Sequence, residues 1–269
     1  MDEFKIYILL LLIISFASCT EKVDLELDDQ EPRLVIEAAL SNTEGYQFIR
    51  VTRSSGYFDN QRAEPVSGAI ISITDGSTTI DFRESSAGRY FSVDEVAGVP
   101  GNTYFLEVQV DGEIYTASST MPRAPQIDSI KFELDDEDPK FYFVKLYAQE
   151  DPLPGDYYFW GVYIDNIYLT NSLLKLYFAS DNLINGSYLN GLKVQVLEAR
   201  LGNWVTLQMA SITKEFYNYC IGIMRETLYT DDPFQAAPAN IQGNISNGAL
   251  GFFQAYAEDE FSDIISLED

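Results

Sequence analysis

From Arg33 to Pro122 apolar and polar residues alternate in short runs, and each run ends at a turn signal. A period of two sends successive side chains to opposite faces, so these runs fold as half-buried strands rather than helices. RLVIEAAL is followed by YQFIRVTR, in which Ile49 and Val51 alternate with Arg50 and Thr52. In AIISIT the residues Ala69, Ile71 and Ile73 share a face, and Asp75-Gly76 returns the chain with Ile80 and Phe82 inward. Glycine there tolerates the positive φ that a two-residue hairpin requires. Tyr104, Leu106, Val108 and Val110 alternate up to a second such turn at Asp111-Gly112, and EIYTASST comes back. Short strands with regular turn signals predict a β-sandwich over residues 33–122.

Met121-Pro122-Arg123-Ala124-Pro125 is a proline-stiffened link, and a second β-sandwich is expected over 126–258. Ile130, Phe132 and Leu134 alternate in SIKFEL; FYFVKLYA follows, then YYFWGVYI, where Tyr158, Trp160, Val162 and Ile164 share a face. Residues 165–192 are less regular, and KVQVLEA and WVTLQMA read as strands. One helix is predicted over 213–228. Thr213 caps it, and Phe216, Tyr219, Cys220, Ile223 and Thr227 form one stripe, suited to packing on a sheet edge or an open sandwich face. GALGFFQAYA reads as the closing strand. The expected fold is mainly β, two β-sandwich domains in tandem with one helix in the second.

The N-terminus is of a different kind. Phe4 to Phe16 is an almost unbroken apolar run, followed by Ala17, Ser18 and Cys19, after which the chain turns acidic (TEKVDLELDDQEP). Residues 1–18 read as a lipoprotein signal peptide, Cys19 as the lipidated residue and 19–32 as an acidic tether, which would leave a folded protein held to a bilayer by an acyl anchor. A transmembrane helix needs about 20 apolar residues, more than this run offers. Plain secretion without lipid is the rival, and it leaves Cys19 without a role.

The formal charge of -25 over 269 residues repels phosphate backbones and anionic headgroups, so nucleic acid is not an expected partner. Only Cys19 and Cys220 are present, which rules out a disulfide framework; Cys220, in an apolar helical stretch, reads as a buried inert thiol, with a reactive nucleophile as the alternative. The chain has no histidine, which removes Ser-His-Asp and Cys-His catalysis and His-ligated zinc, iron or haem. The acidic run at 135–138 suits a solvated turn, and DNLING from Asp181 fails as a calcium loop because Leu183 and Leu192 stand where oxygen ligands are required. No phosphate-binding glycine loop or nucleophile elbow occurs, and no metal or cofactor is expected. The 18 tyrosines and 17 phenylalanines are mostly accounted for by strand cores, but Tyr57, Phe58, Tyr188 and Phe234 fall in expected loops. They are the candidate binding residues; the alternative is that they plug those loops onto the core.

Cys-Thr-Glu-Lys-Val-Asp-Leu near the start, VTRSSGYFDN, EPVSGAIISITDG, GVPGNTYFLEVQVDGEIYTASSTMP, the SITKEFYNY helix and PANIQGNISNGALGFFQAYA together resemble the Bacteroidota lipoprotein family catalogued as domain of unknown function 4249. The first half is also similar to the transthyretin-like or carboxypeptidase-regulatory β-sandwich. The resemblance implies an outer-membrane lipoprotein of the kind frequently associated with TonB-dependent receptors, and it brings no catalytic residues. The expected function is a non-catalytic, surface-exposed accessory or substrate-binding partner of a TonB-dependent transporter. A free-standing surface binder or adhesin, recognising glycan or protein through aromatic loops, is the alternative, and a carboxylate-based hydrolase a distant third.

Overall fold

The computed structural model describes residues 32–55, 63–228 and 241–266. The expected signal segment, the tether with Cys19, and Tyr57, Phe58 and Phe234 lie outside the described residues. Among those described, sixteen strands and one α-helix form two sheets, one of thirteen strands and one of three. The protein is mainly β and sandwich-like.

The first half contains β1 (Leu34–Ser41), β2 (Phe48–Arg53), β3 (Glu64–Pro65), β4 (Ile70–Thr74), β5 (Thr79–Ser86), β6 (Arg89–Ser92), β7 (Thr103–Val110) and β8 (Glu113–Thr120). Alternation sets the inward face: Ile49 and Val51 on β2, Ile71 and Ile73 on β4, and Tyr104, Leu106, Val108 and Val110 on β7 are all buried. The buried tyrosine hydroxyls of this core are satisfied: that of Tyr104 accepts the Val99 N–H at 2.7 Å. The Tyr90 hydroxyl donates to the Val66 carbonyl at 2.9 Å and accepts the Ala69 N–H at 3.0 Å, so its burial leaves no orphan.

The second half contains β9 (Ser129–Leu134), β10 (Phe141–Gln149), β11 (Tyr157–Ile164), β12 (Ile167–Tyr168), β13 (Tyr177–Ser180), β14 (Tyr188–Glu198), β15 (Trp204–Ile212), α1 (Lys214–Thr227) and β16 (Leu250–Ile264). The three-stranded sheet runs in the order β14-β10-β9. Its inner face, with Ile130, Phe132, Val144 and Leu146, packs on Tyr158, Trp160, Val162 and Leu207 of β11 and β15. The far side of β11 and β15 carries Phe159, Ala210 and Ile212, against which Phe216 and Tyr217 of α1 pack. This third layer explains why Tyr158 through Val162 are all buried, where alternation alone predicts one buried face. Leu134, aligned with Ile130 and Phe132 by parity, is instead exposed, because the strand ends there and Asp135 N–H already closes the turn onto the Phe141 carbonyl.

Helix α1 begins as its sequence dictates: Thr213 Oγ1 accepts the Phe216 N–H at 3.2 Å, supplying one of the partners that the first turn lacks. Phe216 packs edge-on and Tyr219 tilted against Phe252, at 5.2 and 5.0 Å between ring centroids. Burial pushes the Cys220 thiol up to about 12, so it stays protonated and unreactive at neutral pH.

Strand β16 belongs to both halves. Its residues Leu250 to Tyr256 pair in parallel with Val35 to Ser41, and Ala257 to Ile264 pair antiparallel with Ser211 to Trp204. The handover falls between consecutive residues. Ala249, Phe253, Ala255 and Ala257 fill the first core, while Phe261 packs on the second and Ile265 is buried within it. Gly251 makes the parallel pairing possible: its φ is +95°, and a Cβ there would lie 2.0 Å from the Ile36 carbonyl oxygen.

Candidate functional site

Tyr188 is the one expected binding residue that the structure describes. It does not lie in a loop but opens β14, about half exposed. Partial desolvation and a hydrogen bond to Asp128 raise its phenol pKa. The residue stands at the end of the outer face of the three-stranded sheet, opposite Gln149 of β10.

Register decides what shares that face. Across β9, β10 and β14, Glu133, Phe143 and Val196 form one row, Lys131, Lys145 and Lys193 the next, and Ser129, Tyr147 and Asn190 the third. Plain alternation along KVQVLE puts Lys193 with Gln195 and Leu197, on the inside. The ladder instead skips Val194 between Gln195 and Lys193, so Val194 and Gln195 both turn inward and are buried. This bulge re-aims Lys193 outward, as bulges do where one extra residue opposes a regular partner. A second skip falls at Gly191, whose φ is +78°. A Cβ there would meet Lys145 Cε at 3.0 Å and the Tyr147 hydroxyl at 3.1 Å, so both side chains lie over the bare backbone.

Three lysines in directly opposed positions repel one another, a cost that sheets ordinarily avoid. One carboxylate offsets it in part. Glu133 takes Lys193 Nζ at 2.6 Å and Lys145 Nζ at 2.9 Å, and these two bonds hold its carboxyl down to about 2 while raising the Lys145 pKa. Lys193 also lies 4.0 Å from the Phe143 ring centroid, a cation–π arrangement. In a chain with 42 acidic and 17 basic side chains, this face gathers three lysines around one glutamate beside aromatic rings. The sequence carries one lysine in each of SIKFEL, FYFVKLYA and KVQVLEA, but only the registers and the bulge align them.

A second polar place is a cleft of about 390 Å³ between the 123–126 link and the loop from Glu150 to Asp156, with Tyr158, Met209 and Ser211 on its wall. Carboxylate oxygens of Glu150, Asp156 and Asp181 lie within 4.8 Å of one another there. Each has a local task. Asp181 Oδ2 accepts the N–H groups of Gly155 and Asp156 at 2.6 and 3.1 Å. Arg123 ties Asp151 at 2.6 Å and Asp156 at 2.8 Å, and the Tyr158 hydroxyl donates to Glu150 at 2.9 Å. Burial, reinforced by the neighbouring carboxylates, raises the pKa values of Glu150 and Asp156. The arrangement pins the 150–156 turn to Arg123 of the 123–126 link.

A family model described as Domain of unknown function (DUF4249) matches residues 20–262. No curated protein matches the chain. Among solved structures, it is similar to a biofilm-associated protein BSP domain at 12% identity and a TM-score of 0.23, covering 88% of this chain and 29% of that one. It is also similar to the FN1–FN3 domains of chicken CNTN1, at 12% identity and a TM-score of 0.25, covering 68% and 60%. The chain thus spans less than two thirds of either structure.

Proposed function

The chain belongs to the DUF4249 family, and from that premise we propose that it is a non-catalytic, lipid-anchored accessory of the outer membrane that binds on behalf of a TonB-dependent transporter. The observation that carries the binding part is the outer face of β9, β10 and β14. It sets half-exposed Tyr188 and a row of three lysines on a sheet whose inner side is packed solid, and rigid presentation of aromatic and charged groups limits the entropy lost on binding. The anchoring part is supported by the apolar run ending at Cys19 and the acidic segment after it. No helix among the described residues is long and apolar enough to cross a membrane. Labelled fatty acid should enter the wild-type chain and not the Cys19→Ala chain, and protease added to whole cells should cut it; label retained in Cys19→Ala refutes the anchor. The exposed face equally suits a free-standing surface binder, and co-extraction of a receptor separates the two.

A further inference from the structure

We infer that the lysine row on the outer face of β9, β10 and β14 is a binding site for an acidic oligosaccharide, a linear chain bearing carboxylates on successive sugar rings. The inference rests on the binding-protein reading above and names its ligand class.

Three features argue for it. The Val194 bulge places Lys193 beside Lys145 and Lys131, creating a row of directly opposed like charges, which sheets ordinarily avoid. Neighbouring strands lie about 4.8 Å apart, so the row extends roughly 10 Å across the sheet, a track for a polyanion running perpendicular to the strands. Glu133 already demonstrates the recognition: its two carboxylate oxygens are held by Lys193 at 2.6 Å and Lys145 at 2.9 Å, and a ligand carboxylate would make the same contacts. Tyr147 in the neighbouring row and Tyr188 near the end of the face, half exposed, offer rings against which the C–H face of a pyranose packs by dispersion.

Charge complementarity also selects among anions. A planar anionic membrane or a large acidic protein meets the field of the whole chain, which carries -25. A short, thin oligosaccharide lies closest to the local ammonium groups, with Glu133 and Asp128 the acidic side chains beside it, and more distant charge fades over a Debye length, about 8 Å at physiological ionic strength. Glu133 is then an internal competitor, displaced when the ligand enters.

The test uses the full chain, purified in detergent, titrated with fluorescent hexagalacturonate and with a neutral glucose hexasaccharide as control. Hexagalacturonate should bind, at least tenfold tighter than the neutral chain, and weaken as salt rises. Lys145→Gln/Lys193→Gln should weaken it tenfold or more, and Glu133→Gln should tighten it about threefold, a gain that no folding defect can imitate. Absence of binding, equal binding of the neutral chain, or indifference to Glu133→Gln overturns the inference. Receptor co-extraction, scored separately on wild type and on Lys145→Gln/Lys193→Gln, keeps the two readings apart. A receptor retained by both without saccharide binding refutes the ligand class and leaves the accessory role. A receptor lost only from the double variant, again without saccharide binding, overturns the inference in favour of protein docking. Saccharide binding without any receptor refutes the accessory role and leaves the site.

Discussion

Glu150 is 2% exposed and its carboxylate is held by the Tyr158 hydroxyl, so ionising it costs more in the folded protein than in the unfolded chain. Its folded-state pKa is raised above 4.5. The native state therefore holds this proton longer, and its contribution to stability, full below pH 4.5, is lost as pH rises through the folded-state value. Asp156 and Glu260 are shifted the same way, also through burial. Glu133 acts in the opposite sense: its carboxyl is held to about 2, and what it contributes is lost only as pH falls toward that value. Glu150→Gln, which still accepts from Tyr158, should raise stability at neutral pH and flatten the decline that sets in above pH 4.5; urea unfolding at stepped pH measures this, and identical slopes for both chains would contradict it. Gly251 is the other decisive residue. Gly251→Ala forces a Cβ to 2.0 Å from the Ile36 carbonyl at a φ of +95°, and should cost about 2 kcal/mol or more by the same assay.

Among the elements, α1 is capped at its start by Thr213, and Thr213→Ala should cost about 1 kcal/mol, read as a shift of the denaturation midpoint. Helix and strands were largely readable because their periods are: the inward residues of β2, β4 and β7 follow alternation, and the helical stripe finds Phe252 through Phe216 and Tyr219. What alternation cannot carry is parity across a bulge. Nothing in KVQVLE announces that Val194 is the extra residue, so Lys193 reads as inward when it faces out. Likewise Tyr188 follows Gly186 and reads as a loop residue, although its pairing with Gln149 begins a strand. The Glu150–Asp156–Asp181 cluster was illegible for a different reason. Asp181 is 25 residues from Asp156, and only the pairing of β11 with β13 brings it back over the 151–156 turn.

At the scale of the whole molecule, the handover within β16 joins two cores that separate links would leave independent. Because Leu250–Tyr256 completes one pairing and Ala257–Ile264 the other, melting either core frays a strand of its neighbour. Unfolding of the described body should follow one transition, with coincident midpoints for tryptophan fluorescence, reporting Trp160 and Trp204 in the second half, and far-UV circular dichroism; two separated midpoints would contradict the coupling. A body coupled in this way would suit the proposed role of presenting a face rather than closing around a substrate, and the net charge of -25 opposes self-association. The most direct test of the accessory role is gentle detergent extraction of native outer membranes through a C-terminal tag, followed by mass spectrometry of what co-purifies. A β-barrel receptor in stoichiometric amount is the predicted result; recovery of this chain alone, under conditions that preserve other membrane complexes, would contradict it.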